Sequence, residues 1–326
     1  MTIDARPKPT LSRTAIVASM VLAFLCGAGI ATQSRINGEL GRQLNDGFAA
    51  AAISFGSGLV IVLIALAFSR SGRRGARQVA SAVRTRRIPF WYVLGGGAGA
   101  FLVLTQGLVA GILGVALFTI GIVAGQTVSG LFIDRRGLGT MQPKPLTVQR
   151  LVGSVLALIA VGIAVSAQLS TAVPLWMLVL PFLAGTGTGW QQAVNGQVRE
   201  IAESALTATL INFTVGTLVL VIALLIDSTV QGWPAHLPTA PWLYLGGAIG
   251  VFFIAAAAVL VPVIGVLLLG LGTIAGQLVT SLVIDQIAPA AGQTTAVTTV
   301  VGTGLTLVAV GIAAVPARKR RVRGKA

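Results

Sequence analysis

The chain reads as a succession of long apolar stretches, each close to the roughly 20 residues needed to cross the hydrocarbon core of a bilayer. They fall near 14–33, 48–68, 91–111, 113–133, 150–168, 174–191, 205–226, 242–261, 263–284 and 296–315. Each is apolar all round rather than along one stripe, which is the pattern of a lipid-immersed helix and not of a helix on a soluble protein. Spanning strands would instead alternate polar and apolar residues over segments of about ten, and that alternation is absent. The expectation is an all-α membrane protein with about ten transmembrane helices.

Composition strengthens that picture. Charged residues make up only 10% of the chain and hydrophobic ones 55%, with 41 glycines among 326 residues. A soluble fold carries about a quarter charged residues. Small residues let helices approach closely in lipid, where packing rather than water exclusion holds them together. A single cysteine, Cys26, and a single histidine, His236, leave no disulfide, no Cys/His metal cluster and no catalytic triad. No P-loop sequence is present either. The expectation is therefore no cofactor, no metal and no enzyme activity. The first stretch is not read as a cleaved leader, because it has a counterpart deep inside the chain.

That counterpart belongs to a duplication. Adding 158 carries Gly27, Gly29, Gln33, Asn37, Gly38, Ile53, Phe55 and Gly58 onto Gly185, Gly187, Gln191, Asn195, Gly196, Ile211, Phe213 and Gly216. Past the second stretch the offset becomes 151, relating Trp91, Gly95, Gly96, Gly99 and Phe101 to Trp242, Gly246, Gly247, Gly250 and Phe252. It continues through Gly114, Gly121, Gly125, Gln126, Ile133 and Asp134, matching Gly265, Gly272, Gly276, Gln277, Ile284 and Asp285. The expected organisation is a tail at 1–13, one five-helix repeat at 14–168, a second at 174–316 and a basic tail at 317–326.

The charge of +15 fits this organisation. Of 23 Lys and Arg, seven lie between Arg70 and Arg87 and six between Arg318 and Lys325. Nucleic-acid binding would need them interleaved with polar and aromatic contacts along one face, so no nucleic-acid partner is expected. Lys and Arg collect in cytoplasmic loops. With both termini cytoplasmic, 21 of the 23 fall inside and only Arg35 and Arg42 outside. A unit of five helices reverses direction, so its copy enters from the other side. The halves are then inverted repeats, in a multi-pass protein of the cytoplasmic (inner) membrane whose basic segments also meet anionic lipid.

Two repeated motifs carry the candidate chemistry. The first, Gly-x6-Gly-x3-Gly-Gln-x7-Asp, runs from Gly114 to Asp134 and from Gly265 to Asp285. Gly121/Gly125 and Gly272/Gly276 are four apart, the spacing of close helix crossings. Gln126 and Gln277 need partners in lipid; they either bridge helices or line a cavity. Asp134 and Asp285 fall at expected helix ends, either as solvated caps or as coupling groups. The second motif, Gln-x3-Asn-Gly, comprises Gln33/Asn37/Gly38 and Gln191/Asn195/Gly196. Its glycine permits a bend or break, so it is either a substrate site at an interrupted helix or a polar turn between helices. Asn212 lies deep in an apolar run and is a candidate cavity-lining residue, and Glu39 is the acid nearest the first copy. Trp91, Trp176, Trp190, Trp233 and Trp242 lie near expected helix ends, as interfacial anchors do.

The Gln-x3-Asn-Gly entry, the Ile-x-Phe-x2-Gly of the next helix and the Gly-Gln-x7-Asp ending resemble the YdcZ-like branch of the drug/metabolite transporter superfamily, here as a fused pair of five-helix units over about 14–315. After Asp134 the chain reads Arg-Arg-Gly-Leu-Gly, close to the family's acid-then-glycine turn, whereas after Asp285 it reads Gln-Ile-Ala-Pro and departs from it. Gln197 stands where Glu39 would recur, which weakens a paired-carboxylate cation site. The resemblance implies a helical bundle with a central cavity between inverted halves. The expected function is secondary transport of a small organic solute, with cavity polarity from Gln33, Asn37, Gln126, Gln191, Asn195, Asn212 and Gln277. The alternative is a non-transporting membrane scaffold.

Overall fold

The computed structural model describes residues 13–137, 148–166, 174–289 and 297–314. The tails before 13 and after 314, with the basic run Arg318–Lys325, lie outside the described residues, as does the side chain of Asp134. Every regular element among the described residues is helical. Among the described residues, five helical stretches are long and apolar enough to cross a membrane: Val17–Leu44, Gly47–Phe68, Phe90–Leu113, Val115–Ile133 and Ala205–Gln231.

Helices α1 (Arg13–Leu44) and α2 (Gly47–Phe68) form the first hairpin. Its turn is compact because Asn45 takes the left-handed conformation (φ 51) and the Asp46 carboxylate then accepts from the Ala49 amide at 2.9 Å. Such a residue ends one helix and such a cap begins the next. Helix α3 (Arg70–Arg84) follows, capped by Ser69, and is amphipathic, burying Gly72, Gly75, Val79 and Ala82. A 3₁₀ turn at Phe90–Leu94 leads into α4 (Gly95–Thr105), a π-helical turn at Gln106–Ala110 and the short α5 (Gly111–Leu113). At Gly114 (φ 81) the chain reverses into α6 (Val115–Arg136). Helix α7 (Val148–Ser166) closes the first half.

The second half opens with α8 (Leu175–Ala202) and α9 (Ala205–Gln231). Their turn repeats the first: Glu203 is left-handed (φ 48) and the Ser204 hydroxyl caps the Thr207 amide at 3.2 Å. A 3₁₀ turn at Pro241–Tyr244 leads to α10 (Gly246–Ile287), and α11 (Val297–Ala314) packs along α7. The 42 residues of α10 are helical along their length, but its neighbours show that the chain folds back within the element into two arms. Gly246 and Gly250 lie against Asn37 and Gln33, Ala257, Leu260 and Leu269 all cluster around Ala23, and Gly272 and Gly276 face Ala23 and Phe24. One arm of α10 is antiparallel to α1 and the other is parallel to it.

The halves are interlocked. Helix α4 packs chiefly on α8 and α9 and α6 on α8, while both arms of α10 pack on α1 and the first arm also reaches α2. The close approaches obey the sequence offsets. Gly27 meets Thr273 where Gly185 meets Ile122; Gly276 meets Phe24 where Gly125 meets Phe182; Gly29 meets Ile249 where Gly187 meets Ala98. At the centre Gly58 faces Phe213 and Gly216 faces Phe55, with the two rings 5.0 Å apart. Helix α3 docks at the α8–α9 turn, where the Thr207 hydroxyl donates to the Gly72 carbonyl at 2.8 Å. That turn and the arginines of α3 therefore share one end of the bundle, the arginine face. The α1–α2 turn, a full α2 length away, lies at the far face.

Candidate functional site

The expected breaks in α1 and α8 do not occur. Both helices run on past Gln-x3-Asn-Gly, to Leu44 and Ala202, so the motif is neither a turn nor an interruption. Gly38 serves close packing instead: an added Cβ would come 2.6 Å from the Gly111 amide nitrogen. Gly107 similarly faces Gly41 and Gly47, so the π-helical turn lies backbone to backbone against α1 and the start of α2. Gly196 has nothing within 4 Å and leaves α8 open at the matching place.

Around this contact a chain of buried amides has formed. Gln33 Nε2 donates to the Gly246 carbonyl at 2.7 Å, and Asn37 Nδ2 donates to Gln106 Oε1 at 2.7 Å. Gln106 Nε2 passes a hydrogen bond to Ser34 Oγ at 3.0 Å, and Ser34 donates to the Ile30 carbonyl. Asn37 and Gln106 are wholly buried. Sequence reasoning missed Gln106. Its signal is present as the one glutamine inside the 91–111 stretch, but the matching position is Ala257, so the duplication does not mark it.

A second cluster lies toward the arginine face. Gln191 Nε2 donates to Asn212 Oδ1 at 2.8 Å, beside the glycine steps of α4. Asn195, half-buried, faces Gly95, as Asn37 faces Gly246. The predicted polar residues thus fall into two groups, Gln33/Asn37 and Gln191/Asn195/Asn212, at different depths. Gln277 is buried on the second arm of α10, where its backbone faces Gly27, and Gln126 is half-buried on α6 just past Gly125. Among the described residues, five buried side-chain atoms have no hydrogen-bond partner: Asn37 Oδ1, Ser54 Oγ and Asn212 Nδ2 beside the two clusters, and the hydroxyls of Thr217 and Thr298. Ser54 and Asn212 are equivalent positions.

The acids are engaged. Glu39 is buried, held by Arg42 Nε at 3.0 Å and Gln43 at 2.8 Å, with Arg35 at 3.8 Å. Asp285 is not the solvated cap of its own helix that its position suggested. It is 8% exposed and caps α6 of the other half, accepting from the amides of Val115 (2.9 Å) and Ala116 (2.7 Å). Trp190 likewise is no helix-end anchor, because α8 continues past it, and it packs with Tyr92 and Val194. No group of three His, Cys, Asp or Glu residues poised for a metal occurs among the described residues.

A sequence model of the family described as "Putative inner membrane exporter, YdcZ" matches this chain twice, over residues 18–164 and 176–314. The chain belongs to the YdcZ family. Membership makes it an inner-membrane transport protein, and both YdcZ segments contain one copy of each motif. No curated protein matches. A solved structure titled only "Crystal structure of protein" superposes with a TM-score of 0.54 at 16% identity, over 93% of this YdcZ chain and 97% of the other. That likeness concerns the fold alone.

Proposed function

We propose that this YdcZ protein is a secondary transporter that exports a small organic solute across the cytoplasmic membrane by alternating access. Ten membrane crossings, with both termini and the arginine face in the cytoplasm, complete the reading. The observation that carries it is the pair of buried amide clusters at seams between the halves, with Asn37 Oδ1, Ser54 Oγ and Asn212 Nδ2 left unpartnered. A buried polar atom without a partner costs roughly 1–3 kcal/mol, and a ligand that supplied the missing bond would recover that cost. Glu39 and Asp285 are occupied within the protein, so recognition falls to neutral amides and hydroxyls. That chemistry fits a polar solute bound by hydrogen bonds. The exposed arginines of α3 rest among anionic headgroups.

Reconstitution and solute counterflow over a metabolite panel, with and without a proton gradient, test this reading. Counterflow of at least one solute, lost in Asn37→Ala and Asn212→Ala proteins that still fold, is the expected result. Absence of flux or binding for every solute, with stable capture of another membrane protein, would establish the scaffold instead.

A further inference from the structure

The first motif begins with glycine and ends with aspartate, and the fold gives that pairing a purpose that neither copy has alone. The last residue of the second copy, Asp285, reaches the first residue of the first copy. Its two carboxylate oxygens take the amides of Val115 and Ala116, the free donors at the start of α6. A carboxylate is well placed there, since unpaired N–H groups and the helix dipole both favour negative charge. Gly114 makes room: its φ is 81, and a Cβ would stand 3.0 Å from Asp285 Oδ2. The sequence repeats both parts, as Gly265-Val266 and Asp134.

Packing along α6 is uneven in a way that matches this contact. From Val115 to Gly125 every residue is buried, and from Gln126 to Ile133 none is. A helix that merely borders lipid shows a stripe of exposure. Here five consecutive residues, Gln126 to Gly130, turn through every direction and all are half-exposed. The bundle is closed around the far-face half of α6 and loose around its arginine-face half. Charge reinforces the closed end, where Arg35 lies 3.8 Å from Glu39. At the positions matching Arg35 and Glu39 the second half has Ala193 and Gln197.

We infer that the Asp285 carboxylate and the Gly114–Ala116 helix start form the latch of the far-face gate, which must part for the pathway to open on that side. The inference rests on the alternating-access reading, but its test does not require transport. Cys26→Ala removes the native thiol, and Ser281→Cys places a reporter on α10 one turn from Asp285, at a wholly buried position. Exposed cysteines at Ala80 and His236 identify the two faces independently. A membrane-impermeant maleimide is applied from the side opposite residue 80. The reporter is expected to react slowly in the parent and about tenfold faster or more in Asp285→Asn and in Gly114→Ala, because charge-assisted bonds are lost in one and displaced in the other. Ser69→Ala, which removes an ordinary helix cap at the arginine face, is expected to leave the rate unchanged.

Unchanged labelling in folded Asp285→Asn or Gly114→Ala protein overturns the latch, as does equal acceleration by Ser69→Ala. Should Asp285→Asn fail to fold, Gly114→Ala decides the matter. Loss of counterflow for every solute, with the labelling pattern intact, would remove the transporter reading and leave the latch as a conformational contact.

Discussion

A methyl group added at Gly276 would strike the Phe24 carbonyl, and one at Gly125 the Phe182 carbonyl, whereas Gly97 has nothing within 4 Å. All three glycines lie in helices, so the same Gly→Ala change should separate packing from propensity. Gly276→Ala and Gly125→Ala are expected to lower thermal stability in detergent, by about 1–3 kcal/mol for an overpacked contact. Gly97→Ala is expected to match or slightly exceed the parent. Gln106→Leu is the corresponding polar test. It leaves Asn37 Nδ2 without an acceptor in a buried place, at a cost of about 1–3 kcal/mol, measurable as a drop in melting temperature. The glycines were legible as seams because four-residue spacing shows in sequence. Their partners were not, since nothing local distinguishes Gly125, pressed on a carbonyl, from Gly97.

Helix ends were the least legible feature. Gln, Asn, Arg and Glu crowd the last third of α1, and by composition alone the span stops near residue 33. The helix instead continues to Leu44 because those side chains find partners, Gln33 on Gly246 and Asn37 on Gln106 of other elements, and Glu39 between two arginines of α1 itself. The real ends carry ordinary local signals, Asn45-Asp46 and Glu203-Ser204, which are too short and too common among polar residues to stand out beside the repeated glycines. Removing either cap, Asp46→Ala or Ser204→Ala, is expected to cost about 1 kcal/mol, read as similar shifts in the thermal midpoint. The reversal within α10 was legible in sequence, as the two stretches 242–261 and 263–284. The two motif endings also differ in structure: α6 stops at Gly137 with φ 68, and α10 stops at Ala288 with φ −138, where no glycine is needed.

At the scale of the whole molecule, the duplication was readable and the pairing of helices was not. The two offsets state which positions are equivalent and say nothing of what each touches. Orientation is open to direct measurement. In a Cys26→Ala background, Ala80→Cys is expected to label only from the cytoplasmic side and His236→Cys only from the other, both positions being exposed; the reverse pattern would invert the assignment. The exchange of α4 and α6 for the arms of α10 also bears on how the protein is made. When α4 and α6 enter the bilayer, the helices that will cover their glycine faces have yet to be synthesised. Those bare faces wait in lipid until α8 and α9 arrive, and α1 and α2 wait longer still, for α10. A chain cut between α7 and α8 would yield two fragments with no complete core of their own, each completed only by the other.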